Sequence, residues 1–158
     1  MSSDGSTVLF GAHPAKYKLN ATAKRQLTRF AKTLEARVAE GKGFECLLTD
    51  DRELRRLNAA FLNHDYPTDV LSFPSTADVR ILGEIAISIE RAAEQAEQFG
   101  NTLMDELQVL MLHGVLHLAG YDHETDAGEM AAAEQRWRSE FNLPETLIER
   151  AEMAEATL

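Results

Sequence analysis

The chain predicts an α+β fold: one domain, residues 1–158, with a mixed sheet of about four strands and about five helices packed on it. Three features carry that expectation. Short β-forming runs are interspersed, without strict alternation, with segments whose apolar residues recur every three or four positions. One such segment, 102–120, is apolar through Leu103, Leu107, Leu110, Met111 and Leu118 and must be largely buried. No internal repeat, low-complexity tract or linker divides the 158 residues, a length at which one core buries roughly 70% of the surface the unfolded chain exposes.

The elements follow in order. Val8–Phe10 is a short apolar run read as a first strand. Asn20 is a helix cap for a segment whose apolar positions Ala23, Leu27, Phe30, Leu34 and Val38 share one face, with Gly41 and Gly43 ending it. "FECLL" (44–48) alternates as a strand with Phe44, Cys46 and Leu48 on one side. Asp50 and Glu53 form a capping-box pattern ahead of Leu54, Leu57 and Phe61. After the polar connection "LNHDYPTD" (62–69), "VLSF" (70–73) is a strand stopped by Pro74, and Ile81–Ile87 is another. Helices are expected from Ser88 to about Phe99, closed by Gly100, and from Thr102 to the stop at Gly120. Asp126 with Glu129 caps a last helix carrying Met130, Ala133, Trp137 and Phe141; the residues after Pro144 are acidic and Ala-rich.

Composition narrows the class. Hydrophobic residues at 44% and charged residues at 27% suit a soluble globular protein. The single cysteine, Cys46, excludes an internal disulfide and suits a reducing compartment. "MSSDGSTVLF" does not read as a signal peptide, and no run approaches the roughly 20 apolar residues of a membrane span, so the expected location is the cytoplasm, with no membrane partner. A net charge of −10 argues against nucleic-acid binding, but the charge is uneven. Residues 11–42 carry Lys16, Lys18, Lys24, Arg25, Arg29, Lys32, Arg37 and Lys42 against only Glu35 and Glu40. Such a dipolar chain can present a basic face to RNA; a merely solvated basic helix is the other reading.

"HGVLHLAGYDH" (113–123) holds three of the five histidines. His113 and His117, four apart on a helix, project their imidazoles from one face, about 5–6 Å apart at Cβ. Gly120 can adopt a backbone angle closed to other residues, which turns the chain out of the helix and lets His123 return as a third ligand. Three neutral imidazoles with an open fourth position describe a catalytic zinc site more than a structural one. The spacing is similar to that of zinc peptidases, whose motif places a glutamate general base directly after the first histidine. Here that place is Gly114, expected to leave room for a bulky substrate.

With "PTDVLSFP" (67–74) and "LGEIAIS" (82–88) upstream of it, this motif resembles the YbeY-type family of bacterial rRNA maturation factors. The resemblance runs in order along nearly the whole chain: the Asn58 segment, Thr68-Asp69, the strand with Gly83, the histidine motif and Met130. It implies a single α+β domain and one zinc ion per chain held by His113, His117 and His123. It also implies endonucleolytic cleavage of single-stranded RNA in 16S rRNA maturation and ribosome quality control, with the small ribosomal subunit and ribosomal proteins as partners. Two positions depart from the family pattern. Leu62 stands where an arginine is usual, which removes a bidentate phosphate partner, and Glu84 stands where the family has aspartate. Arg80, Lys42 or the basic first helix are candidates to replace the missing charge.

Glu84 and Asp122 are the expected catalytic carboxylates, assisting proton transfer. Asp122 and Glu124 flank His123, and either is also a candidate to orient an imidazole through its second nitrogen. Asp69 is read as a turn-fixing residue near the site, Tyr121 as packing the turn, and His64 as a loop residue near the cleft. The leading function is a zinc endoribonuclease acting on rRNA. A catalytically weak, metal-stabilised ribosome-assembly factor and another zinc hydrolase such as a peptidase are the alternatives.

Overall fold

The computed structural model describes residues 5–62, 68–122 and 125–145, with only the backbone of Leu62. In chain order the elements are β1 (Thr7–Phe10), a short 3-10 turn (Ala15–Tyr17), α1 (Ala21–Arg37), β2 (Gly43–Thr49), α2 (Asp51–Leu62), β3 (Val70–Pro74), β4 (Ile81–Ser88), α3 (Ile89–Phe99), α4 (Leu103–Leu118) and α5 (Glu129–Glu140). The four strands form one mixed sheet in the order β1-β2-β4-β3. β1, β2 and β4 run parallel, and β3 closes one edge antiparallel to β4. The expected α+β class is realised, and the described residues form the four strands and five α-helices expected.

The caps explain where the helices start. Asn20 Oδ1 accepts from the Ala23 amide at 2.8 Å, and Thr102 Oγ1 from the Asp105 amide at 3.1 Å. Asp50 Oδ1 accepts from the Glu53 amide at 2.9 Å, but the Glu53 carboxylate engages Arg56 at 2.6 Å instead of completing the box. At α5, Asp126 Oδ2 accepts from the Met130 amide at 2.8 Å.

Alternation along the strands divides the core into two layers. Phe44, Cys46 and Leu48 of β2, with Ile85 and Ile87 of β4, face the larger cluster made with α1, α3, α4 and Met130 of α5. Leu71 and Ala86 face the other way and pack under Leu54 of α2. α4 is the central helix, with every residue from Glu106 to Leu116 buried. It lies against β3 and β4 and touches α1, α3 and α5.

Gly114 is what lets α4 approach the sheet so closely. A Cβ built there would stand 2.9 Å from Ile85 Cγ2 and 3.1 Å from Cδ1, and the Gly114 carbonyl accepts from Ser72 Oγ at 3.3 Å. The expectation that Gly114 leaves space for substrate is therefore corrected: Ile85 fills that space. The same geometry rules out this position for a peptidase-type base, since a side chain at 114 would meet β4. No helix among the described residues is long and apolar enough to cross a membrane.

Candidate metal centre

α4 carries His113 and His117 on adjacent turns at its C-terminal end. His113 is 7% exposed and His117 half-buried, with ring centroids 4.7 Å apart and planes at 77°. The two Nε2 atoms lie 3.1 Å from one another. Each Nδ1 meets an oxygen on the far side of its ring. His113 Nδ1–H donates to Glu134 Oε1 of α5 at 2.5 Å, and His117 Nδ1–H donates to the Tyr121 carbonyl at 3.1 Å.

These contacts match one tautomer. A carboxylate or carbonyl oxygen accepts, so a neutral ring with its proton on Nδ1 satisfies its oxygen and presents a bare Nε2. Two imidazole lone pairs facing one another at 3.1 Å repel unless a cation lies between them. Two nitrogens bound to one tetrahedral zinc at 2.0–2.1 Å would stand about 3.3 Å apart. The donor set therefore fits a borderline-soft divalent ion.

The turn that follows has the form the glycine predicts. Gly120 takes φ +103°, its amide donates to the His117 carbonyl at 3.0 Å, and the Tyr121 amide donates to the Leu116 carbonyl at 3.1 Å. The chain thus folds back over the helix end, which is how the Tyr121 carbonyl reaches His117. His123 and Glu124, expected as ligand and neighbour, lie outside the described residues, as does His64. Among the described residues, no group of three His, Cys, Asp or Glu side chains is assembled to hold a metal ion.

Of the two expected catalytic carboxylates, Asp122 stands next in the chain to the Tyr121 carbonyl that meets His117 Nδ1. It is exposed, and its carbonyl accepts from the Thr125 and Asp126 amides at 3.2 and 3.1 Å. Glu84 lies elsewhere. It alternates with Ile85 on β4 and so lies on the sheet face opposite α4. It lines a groove of about 610 Å³ with Glu45, Phe73 and Arg80, which neither histidine lines. Glu84 is therefore not placed for proton transfer at the histidine pair, because strand alternation puts the sheet between them.

The remaining candidates divide similarly. Asp69 fixes the entry to β3, accepting from the Val70 amide at 2.8 Å and from Gln95 Nε2 at 2.9 Å, while its carbonyl takes the Ser88 amide at 2.9 Å. Arg80, a candidate replacement for the missing guanidinium, is engaged by Asp78 at 3.3 Å. Its backbone N–H and its side chain hold the Asp78 carboxyl below the usual range. Among the described residues, the Glu134 carboxylate meets His113 Nδ1 and the Tyr121 carbonyl meets His117 Nδ1. Sequence reasoning misses Glu134; its only signal is an acid four residues after Met130, on the buried face of α5.

The model of the family described as Endoribonuclease YbeY matches residues 12–142. The chain is 50% identical over 151 residues to Endoribonuclease YbeY of Solibacter usitatus, across 96% of this chain and 98% of that protein. It is 47% identical over 137 residues to the Koribacter versatilis protein of that name, across 85% and 88%. It is 53% identical over 112 residues to the one from Nautilia profundicola, across 70% and 81%. Among solved structures, a solution structure of a Thermotoga maritima protein matches with TM-score 0.52 and 31% identity, across 85% of this chain and 91% of that one. The fold, the ordered motifs and these relatives agree: the chain belongs to the Endoribonuclease YbeY family.

Proposed function

We propose that the protein is a zinc-dependent endoribonuclease that cleaves single-stranded RNA, working in the cytoplasm in 16S rRNA maturation and ribosome quality control. Its substrate-bearing partner is then the small ribosomal subunit with its ribosomal proteins. The observation that carries this reading is the convergence of the His113 and His117 Nε2 atoms at 3.1 Å, with both Nδ1 atoms already bonded, in a chain of this family. His113, His117 and His123 would hold one zinc ion per chain. Bound there, zinc supplies Lewis-acid polarisation of a phosphodiester oxygen and makes water a stronger acid near neutral pH.

The chain's own residues do the rest. Glu134 and the Tyr121 carbonyl hold the two imidazoles in register. Asp122, exposed beside Tyr121 in the chain, is the carboxylate we assign to receive the proton of the attacking water or ribose 2′-hydroxyl. RNA would be gathered by α1, where Arg25, Arg29 and Lys32 are exposed along one stripe. The acid of that helix, Glu35, is turned to the Ser6 hydroxyl at 2.7 Å and leaves the stripe basic.

Elemental analysis of the purified protein, paired with cleavage of single-stranded RNA by the same sample and by His117→Ala, tests the proposal. We expect one zinc per chain and loss of cleavage in the variant. An undiminished rate in His117→Ala refutes the metal mechanism. A second reading, a metal-stabilised ribosome-assembly factor with weak cleavage, is favoured by Leu62 at the family's arginine position. It predicts zinc and subunit binding with cleavage near background.

A further inference from the structure

His113 is backed by a charged group buried in a different helix. Glu134 comes from α5 and is 0% exposed, with Oε1 2.5 Å from His113 Nδ1. A carboxylate sealed from water is costly unless positive charge compensates it. His117 has a different support, a neutral backbone carbonyl at a half-buried position. The two imidazoles are thus backed unequally: one by a full buried charge from another helix, the other by a dipole from its own helix end.

From this asymmetry we infer that Glu134 is a positioning residue of the metal centre: through His113 it raises the donor strength of Nε2 and couples ion binding to the docking of α5. The inference rests on the zinc reading above. An anionic acceptor on Nδ1–H increases electron density on the ring and so strengthens the opposite nitrogen as a ligand. Conversely, a divalent cation on the far side of that imidazole strengthens the Nδ1–H bond that the buried carboxylate accepts. α5 also carries Met130, fully buried in the main core, and Trp137, packed against that core. Ion binding and the seating of this helix therefore reinforce one another through a single side chain.

The test is zinc affinity, measured by competition with a chromophoric chelator, together with the zinc-induced change in amide exchange over residues 129–140. Glu134→Gln keeps the size and an acceptor oxygen but removes the charge. Glu134→Met removes both. Glu140→Gln is the control on the same helix: it loosens the exposed pair with Arg37, 3.3 Å long, and touches neither histidine. We expect about 10–100-fold weaker zinc binding in Glu134→Gln, weaker still in Glu134→Met, and wild-type affinity in Glu140→Gln. The zinc-induced protection of α5 should shrink in the same order. Ring ¹⁵N shifts of the metal-free wild type should show His113 with its proton on Nδ1, a reading that does not depend on any variant folding. Wild-type affinity in Glu134→Gln, or His113 protonated on Nε2 alone, overturns the inference. Failure of the wild type to bind zinc would instead overturn the metal reading itself.

Discussion

Replacing Gly114 by alanine should destabilise the protein, and the effect should reverse when Ile85 is shortened. In an ordinary buried helix, Gly→Ala is favourable by about 1 kcal/mol because it lowers the entropy of the unfolded chain. Here the new methyl would stand 2.9, 3.1 and 3.2 Å from Cγ2, Cδ1 and Cγ1 of Ile85. Both γ branches of Ile85 face the new methyl and the residue is only 1% exposed, so turning χ1 trades one clash for another and α4 must move. Overpacking of this kind costs about 1–3 kcal/mol, leaving a net loss of about 0–2 kcal/mol and a fall in Tm of a few degrees. In an Ile85→Ala background, itself about 2–5 kcal/mol less stable, the obstruction is gone and Gly114→Ala should become stabilising. Urea unfolding of the four proteins in this cycle gives the coupling directly. Because the displaced helix carries His113 and His117, zinc affinity should fall with stability in the single variant. A Gly114→Ala protein as stable as wild type, with no coupling to position 85, would refute the close approach and return the space beside Gly114 to the substrate.

Three further outcomes are expected. Burial pushes the Cys46 thiol from 9.0 up to about 12, so its folded pKa lies above its unfolded one. The stability it contributes is fully present below pH 9.0 and is lost as pH rises toward about 12; the stability difference between wild type and Cys46→Ala should shrink across that interval. Reversing Lys24, Arg25 and Arg29 to glutamate should weaken RNA binding and flatten its salt dependence, and an unchanged salt slope would leave α1 a solvated face. Leu62→Arg should speed cleavage of single-stranded RNA if the missing guanidinium limits the rate, where one such donor is commonly worth about 3–4 kcal/mol. A fast wild type indifferent to that change would show that another cation already serves.

Features that depend on neighbours along the chain are legible in the sequence itself. Asn20, Asp50 and Thr102 act over three residues and accept amide bonds as helix caps where their spacing places them, whereas α5 begins after Gly128, and Asp126 reaches its first turn from two residues further back. Period-two alternation puts Phe44, Cys46 and Leu48 on one face, and the i,i+4 spacing puts His113 and His117 side by side. Gly120 is readable because a φ of +103° is a property of the residue itself. What depends on packing is not legible there. Glu134 is 21 residues from His113 and reaches it only because α5 lies against α4. Ile85 occupies the space at Gly114 only because α4 crosses the sheet at that point. Glu84 falls on the far side of the sheet because Ile85 and Ile87 claim the face turned to α4. Local periodicity states which residues share a face; which face meets which is decided by the burial of all the elements together, and that is a property of the folded chain alone.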